Sequence, residues 1–179
     1  MRYVSLLRGI NVSGQKKIRM NDLRVLYEKA GFQNVATYIQ SGNVIFDSDI
    51  KSIPVLKEKI ENTIYGKYKF NVPVELRTNR ELLNIIKNCP YGPVDPVEDG
   101  TKILITFLSS RPLNERFEET REYTAVNEKI ILKGKELYLY CPDGYSKSKL
   151  SNLFLEKKLS VTATTRNWKS VLNLYDLSR

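Results

Sequence analysis

The sequence predicts an α+β protein whose first half, residues 1–78, has the ferredoxin-like or split β-α-β arrangement. Short apolar stretches that are typical of strands alternate with amphipathic stretches that are typical of helices, and glycines separate many of them. The predicted elements are a strand at 2–7, a helix at 21–30, strands at 34–39 and 43–47, a helix at 53–65 and a strand at 72–77. This order indicates an antiparallel sheet with both helices on one face.

Each predicted helix has one apolar face, because its large apolar residues recur at helical spacings. These residues are Leu23, Leu26 and Ala30 in the first helix and Leu56, Ile60 and Ile64 in the second. Asn21 is a suitable N-cap for the first helix, and Gly31 and Gly66 stand where C-terminal stops are expected. The pair Ser41-Gly42 predicts a tight hairpin turn between the second and third strands, with Gly42 at positive φ.

Residues 79–179 are predicted to form a second α+β subdomain packed on the first. Thr78 and Glu81 make a capping box that opens a helix ending near Lys87. The later elements are a strand at 102–108, a helix at 112–121, strands at 123–126, 129–133 and 136–141, and helices at 147–158 and 167–177. Because this order is again β-α-β-β-α, a degenerate second ferredoxin-like unit is an alternative to an unrelated subdomain.

The composition excludes several classes of chemistry. The chain contains no histidine, which removes Ser-His-Asp and Cys-His catalysis and histidine-ligated zinc. Cys89 and Cys141 are isolated, so we expect two buried free thiols and no metal site. No motif indicates a particular cofactor. No apolar stretch approaches the roughly 20 residues that span a bilayer, so we expect a cytoplasmic protein without a membrane partner.

The net charge of +9 favours an anionic partner, and the most informative basic segment is the connection at residues 9–19. It is longer than the roughly two to six residues typical of such connections. Its candidate ligand-binding residues are Arg8, Asn11, Lys16 and Lys17. Gly9 and Gly14 have the spacing of a P-loop, but the hydroxyl residue that a P-loop needs after its lysine is missing. The segment therefore indicates either a looser phosphate cradle or a solvated basic loop.

Two further segments contain candidate residues. Gln40 and Asn43 flank the predicted hairpin turn, where they either shape the turn or bind a ligand beside the basic loop. Residues 145–169 are also rich in lysine and arginine, and their candidates are Lys149, Glu156, Arg166, Asn167 and Trp168. Helical spacing places Lys149 and Glu156 on one face of the predicted helix. Trp168 is typical of a core as well as of a binding anchor, and Asn167 also suits the N-cap of the last helix.

Three stretches have a distinctive sequence: LLRGINV at 6–12, YIQSGNV at 38–44 and TRNW at 165–168. They resemble an uncharacterised, mainly bacterial family, domain of unknown function 1697, over nearly the whole chain. The resemblance implies a bacterial-type cytoplasmic protein with ferredoxin-like elements and brings no activity or catalytic residue. Ser13 stands where the family pattern often has glycine, so a loop that requires positive φ there would be strained.

These observations support two main hypotheses about function. The first is a binding module for an anionic ligand, either nucleic acid or a phosphorylated metabolite, that uses both basic segments. The second is a histidine-free enzyme acting on a small anionic substrate, with Arg8, Lys17 and Arg166 as anion ligands and Glu156 or a tyrosine moving protons. A protein-interaction or structural role is a third alternative, for which the sequence offers no specific feature.

Overall fold

The computed structural model describes all 179 residues and confirms the α+β class. The chain divides into two compact units: residues Met1–Leu83 with Leu174–Arg179, and residues Asn84–Asn173. Each unit contains one four-stranded sheet in which all neighbouring strands are antiparallel. No helix is both long and apolar enough to cross a membrane.

The sheet of the first unit has the strand order β2-β3-β1-β4. The elements are β1 (Arg2–Leu7), α1 (Met20–Lys29), β2 (Gln33–Tyr38), β3 (Asn43–Asp47), α2 (Ile53–Tyr68) and β4 (Val74–Thr78), followed by α3 (Asn79–Lys87). The helix α1 joins β1 to β2 across β3, and α2 joins β3 to β4 across β1. Each helix therefore connects two parallel strands with a third strand between them, which is a split β-α-β connection.

The helices α1 and α2 pack their apolar residues into the core of the first unit. In α2 the predicted residues Leu56, Ile60 and Ile64 are all fully buried. In α1 the buried residues are Leu23 and Tyr27, and the Tyr27 ring lies edge-on to Phe46 at 5.4 Å between centroids. The helical spacings in the sequence thus predicted the core-facing sides of both helices correctly. The burial of Tyr27 in the core was not predicted.

The ends of α1 and α2 each differ from the prediction at one place. The helix α1 begins at Met20, with Arg19 in the N-cap position and no side chain capping it. The predicted cap, Asn21, lies inside the helix, and its Oδ1 accepts a hydrogen bond from Arg24. The helix α2 continues past Gly66 to Tyr68 and ends where Lys69 adopts a left-handed conformation with φ of 60°. The prediction that this helix ends at Gly66 was therefore wrong.

The helix α3 begins as predicted from the capping box. The Thr78 backbone N–H donates to Glu81 Oε2 at 2.7 Å, and the Glu81 N–H donates to Thr78 Oγ1 at 3.3 Å. The two residues thus satisfy each other's backbone donors at the helix N-terminus.

The second unit repeats the element order and the strand order of the first. Its elements are β5 (Ile103–Leu108), α4 (Asn114–Arg121), β6 (Lys129–Lys133), β7 (Glu136–Tyr140), a short 3-10 helix (Tyr145–Lys147), α5 (Asn152–Leu159), β8 (Ala163–Asn167) and the first part of α6 (Trp168–Leu177), whose residues from Leu174 onward belong to the first unit. The sheet order β6-β7-β5-β8 corresponds to β2-β3-β1-β4, strand for strand. A second split β-α-β unit is therefore present.

Two predictions for the second unit were wrong. Residues 123–126 form turns rather than a strand, because the Glu128 N–H donates to the Ala125 carbonyl and closes a turn. The strand β8 was missed because its sequence is largely polar, although its residues Thr164 and Arg166 are buried. Its threonines, which are β-branched, were the available signal for a strand.

Candidate functional site

Four segments of the first unit meet at one end of its sheet. Because β3 is antiparallel to both β1 and β2, these two strands run in the same direction and terminate at the same end of the sheet. The helix α1 follows β1 and so begins there, while α2 ends there because it precedes β4, which is antiparallel to β1. The topology alone therefore brings together the β1–α1 loop, the N-terminus of α1, the β2–β3 turn and the C-terminus of α2.

The β1–α1 loop folds back on itself as a miniature hairpin. The Gln15 N–H donates to the Val12 carbonyl at 2.9 Å, and the Asn11 N–H donates to the Lys16 carbonyl at 3.2 Å. Ser13 and Gly14 form its tip with φ of 49° and 76°. The glycines therefore do not build a P-loop, whose backbone would wrap a phosphate before the helix.

The side chain of Asn11 fastens this loop to its surroundings. Its Nδ2 donates to the carbonyls of Ile18 and Gln40, both at 2.9 Å, and its Oδ1 accepts from the Ile18 N–H at 2.9 Å. Both amide donors are therefore used by the protein itself. The bond to Gln40 brings the turn beside the basic loop.

Arg8, Lys16 and Asn43 also lie at this end of the sheet. The Lys16 ammonium donates to the Asn71 carbonyl at 2.7 Å, and the Arg8 backbone N–H donates to the Pro73 carbonyl at 2.9 Å. Asn43 is fully buried, and its Nδ2 donates to the Tyr38 carbonyl at 2.9 Å. These contacts indicate that Lys16 and Asn43 help to hold the loop and the turn in place.

The assembled segments surround a cleft of about 450 Å³. Its lining residues are Asn11, Lys17, Ile18, Arg19, Met20, Asp22, Gln40 and Tyr68. The volume is within the roughly 300–1,000 Å³ that is usual for small-molecule sites. Three of the predicted candidates, Asn11, Lys17 and Gln40, thus share one concave surface.

The cleft favours negative charge. Lys17 and Arg19 are both exposed there, and neither side chain is tied up in an ion pair. The first N–H bonded within α1 is that of Leu23, so those of Met20, Asn21 and Asp22 have no helical acceptor. These free donors and the helix dipole add positive potential beside the two cations.

Five lining residues were not among the predicted candidates: Ile18, Arg19, Met20, Asp22 and Tyr68. Tyr68 is the last residue of α2, and its hydroxyl oxygen is buried without a hydrogen-bond partner in the protein. Such a buried and unpaired hydroxyl costs about 1–3 kcal/mol. Asp22, in the first turn of α1, adds one carboxylate to the lining. No local pattern marks Tyr68, because only the continuation of α2 beyond Gly66 brings it to the cleft.

Two candidates of the second unit lie at its helix α5, Lys149 before the helix and Glu156 within it. Lys149 precedes the helix, whose N-cap is Ser151. The prediction that Lys149 and Glu156 share a helical face was therefore wrong. Glu156 Oε1 accepts a hydrogen bond from the Ala163 N–H at 3.0 Å, at the start of β8. That contact gives Glu156 a role in joining α5 to β8.

The other three candidates lie where β8 meets α6. Arg166 is 6% exposed, and its Nη1 donates to Thr164 Oγ1 and to the Thr165 carbonyl, both at 2.9 Å. Asn167 Oδ1 accepts from the Ser170 N–H at 2.8 Å, which is an N-cap contact for α6. Trp168 is 3% exposed. In the structure, Arg166 and Asn167 thus form hydrogen bonds within the protein, and Trp168 is buried in it.

The described chain offers no metal site and no activated thiol. No group of three acidic or cysteine side chains is placed to hold a metal ion. Both cysteines are free; Cys141 is buried and Cys89 only partly so. Burial raises the pKa of Cys89, and burial followed by the charge of Glu128 raises the pKa of Cys141 to about 11. Neither thiol is therefore a thiolate at neutral pH.

Replacing Ser13 with glycine should stabilise the protein. Ser13 has a φ of 49°, which costs an L-residue roughly 1–2 kcal/mol and glycine almost nothing. After allowing for the greater freedom of glycine in the unfolded chain, we expect a gain of roughly 0.5–1 kcal/mol in the free energy of unfolding. Urea denaturation measures the change. Ser52→Gly is the control, because Ser52 has a φ of −75° and should lose stability instead; equal effects of both changes would contradict the assignment of strain.

Comparison with known proteins places the chain in a family. Residues 1–138 match the model of the family described as "Protein of unknown function (DUF1697)". The chain belongs to this family. The matched residues span the whole β1–α1 loop, the β2–β3 turn and α2, so every residue that lines the cleft is inside the family region. The resemblance to this family, predicted from the sequence, is thereby confirmed; the stretches at 6–12 and 38–44 lie within the match, and the stretch at 165–168 lies outside it.

A solved structure of a conserved bacterial protein from Streptococcus pneumoniae has a similar fold. It is 24% identical to this chain, with a TM-score of 0.78, and the alignment covers 99% of this chain and 98% of that one. At this level of identity the likeness supports the fold and not a function. No curated protein matches the chain.

Proposed function

We propose that the first unit is a binding module for a phosphorylated small molecule, held in the cleft between the β1–α1 loop and the β2–β3 turn. Lys17, Arg19 and the N-terminus of α1 would bind the phosphate, since charge-assisted hydrogen bonds from these groups are the usual means of holding such an anion. The observation that carries the proposal is the convergence of two exposed cations on an uncapped helix N-terminus inside a concave site.

The shape of the cleft favours a small molecule over a nucleic acid. A nucleic acid is bound by a row of cations that follows several phosphates, and its affinity is strongly dependent on salt. Lys17 and Arg19 instead flank a single cleft with Asp22 beside them. A carboxylate within the site would oppose a continuous phosphate backbone but tolerates one phosphate that is properly oriented.

The test is the affinity for inorganic phosphate, measured by NMR titration of the full chain. The double variant Lys17→Ala/Arg19→Ala should bind phosphate about tenfold or more weakly, because it loses hydrogen bonds from two charged donors. The control is Lys29→Ala/Lys51→Ala, which removes the same charge from two exposed lysines outside the cleft lining.

Two outcomes would count against the proposal. If both double variants weaken phosphate binding equally, the effect comes from net charge and not from the cleft. If a single-stranded oligonucleotide binds with a steep salt dependence while phosphate does not bind, the partner is a nucleic acid. Loss of binding only in the cleft variant, with unchanged thermal stability, supports the proposal.

A further inference from the structure

The cleft contains one acidic residue in a place where a simple phosphate site would have none. Asp22 lines the same surface as Lys17 and Arg19 and forms an ion pair with neither of them. It is partly buried, which limits the screening of its charge by water. A carboxylate in the first turn also interacts favourably with the helix dipole, but it weakens the binding of any anion at the same N-terminus.

Neutral polar groups accompany Asp22 in the lining. Gln40 is exposed in the cleft. Its backbone carbonyl accepts a hydrogen bond from Asn11 Nδ2 at 2.9 Å, which leaves its side-chain amide to face a ligand. The Tyr68 hydroxyl is buried without a protein partner. The cleft therefore offers one cationic part, formed by Lys17 and Arg19, together with the carboxylate of Asp22 and the neutral amide of Gln40.

From this division we infer that the ligand is a phosphate monoester carrying a hydroxyl or ammonium group close to its phosphate, and that Asp22 accepts a hydrogen bond from that group. The inference rests on the proposed function and deepens it. An ionised carboxylate only accepts hydrogen bonds, so it strengthens the binding of a ligand that carries a donor and repels a second anionic group. Asp22 thus selects among phosphate esters instead of providing general affinity.

The experiment compares three esters that differ in this donor. Methyl phosphate has none, glycerol 3-phosphate has hydroxyl groups and O-phosphoethanolamine has an ammonium group. With the wild-type chain, we expect at least one of the donor-bearing esters to bind about tenfold more tightly than methyl phosphate, which is the strength of one charge-assisted hydrogen bond. Affinities are measured by NMR titration at constant pH and salt.

The variant Asp22→Ala should shift the esters in opposite directions. Methyl phosphate should bind about threefold more tightly, because a neighbouring like charge is removed, whereas the preferred donor-bearing ester should bind more weakly. Asp49→Ala is the matched control, since it removes the same charge from an exposed residue outside the cleft lining. A merely helix-stabilising Asp22 would not reverse the order of the ligands.

The results separate failure of this inference from failure of the proposed function. If all three esters bind wild type equally and Asp22→Ala tightens them equally, the cleft binds phosphate but Asp22 does not select the donor, and the inference is overturned. If none of them binds wild type, both are overturned. A change of preference in Asp22→Ala that is absent from Asp49→Ala supports the inference.

Discussion

Replacing Gly42 with alanine is expected to lower the free energy of unfolding by roughly 2–4 kcal/mol. Gly42 has a φ of 81°, which disfavours any residue with a Cβ atom. A Cβ atom built there would also lie 2.5 Å from Ile10 Cδ1 and 2.9 Å from Leu7 Cβ. Leu7 Cβ can move only with the backbone at the end of β1, and the Ile10 side chain, which is itself buried, must repack.

The same substitution should weaken phosphate binding. Ile10 precedes Asn11, which holds the turn at Gln40, so a displaced Ile10 disturbs the frame of the cleft. Urea denaturation measures the stability, and the NMR titration with phosphate measures the binding.

Gly66→Ala is the control for Gly42→Ala. Gly66 lies within α2 and does not have a positive φ, and a Cβ atom added there would meet no other atom within 4 Å. Alanine should therefore stabilise the helix by roughly 0.5–1 kcal/mol. A Gly42→Ala variant as stable as wild type would contradict the described turn.

Removing the Glu75 side chain should cost roughly 3–5 kcal/mol, the loss typical when one member of a buried ion pair is deleted. Glu75 Oε1 lies 2.7 Å from the Lys57 ammonium, and Oε2 lies 3.6 Å from Arg77 Nη1. The side chains of Glu75 and Arg77 are only 6% and 2% exposed. Glu75→Ala therefore removes the carboxylate that lies beside the Arg77 guanidinium in a poorly solvated site.

An exposed ion pair provides the comparison for Glu75→Ala. Glu28 pairs with Arg24 one turn apart on α1, with side chains 42% and 38% exposed, so Glu28→Ala should cost less than about 1 kcal/mol. Denaturation curves of the two variants measure the difference. Equal losses would show that the Glu75 cluster is effectively solvated, contrary to the burial described.

Features set by neighbouring residues could be predicted from the sequence. The apolar spacing of α2, the capping box of Thr78 and Glu81 and the positive φ of Gly42 each depend on a few consecutive positions. The expectation of strain at Ser13 is likewise local, and its φ is indeed positive.

Features that depend on tertiary structure could not be predicted. Tyr68 reaches the cleft only because α2 runs through Gly66, a residue that usually weakens a helix and is here retained within one. The sequence indicates for Asp22 only a favourable charge at a helix N-terminus, and its place in the same cleft as Lys17 follows from the folded loop. The strand β8 was not predicted because several of its buried residues are polar, among them Arg166, and sequence patterns assign such residues to the surface.

The central claim, that the cleft of the first unit binds a phosphate-like anion, is tested most directly by locating such an anion. Crystals grown with selenate, a tetrahedral oxyanion, would show its position through the anomalous signal of selenium. We predict a peak in the cleft, with oxygen atoms about 2.7–3.2 Å from the Lys17 or Arg19 side chain and from a free N–H at the start of α1. Selenate found only at other surfaces, with this cleft empty and accessible in the crystal, would contradict the account.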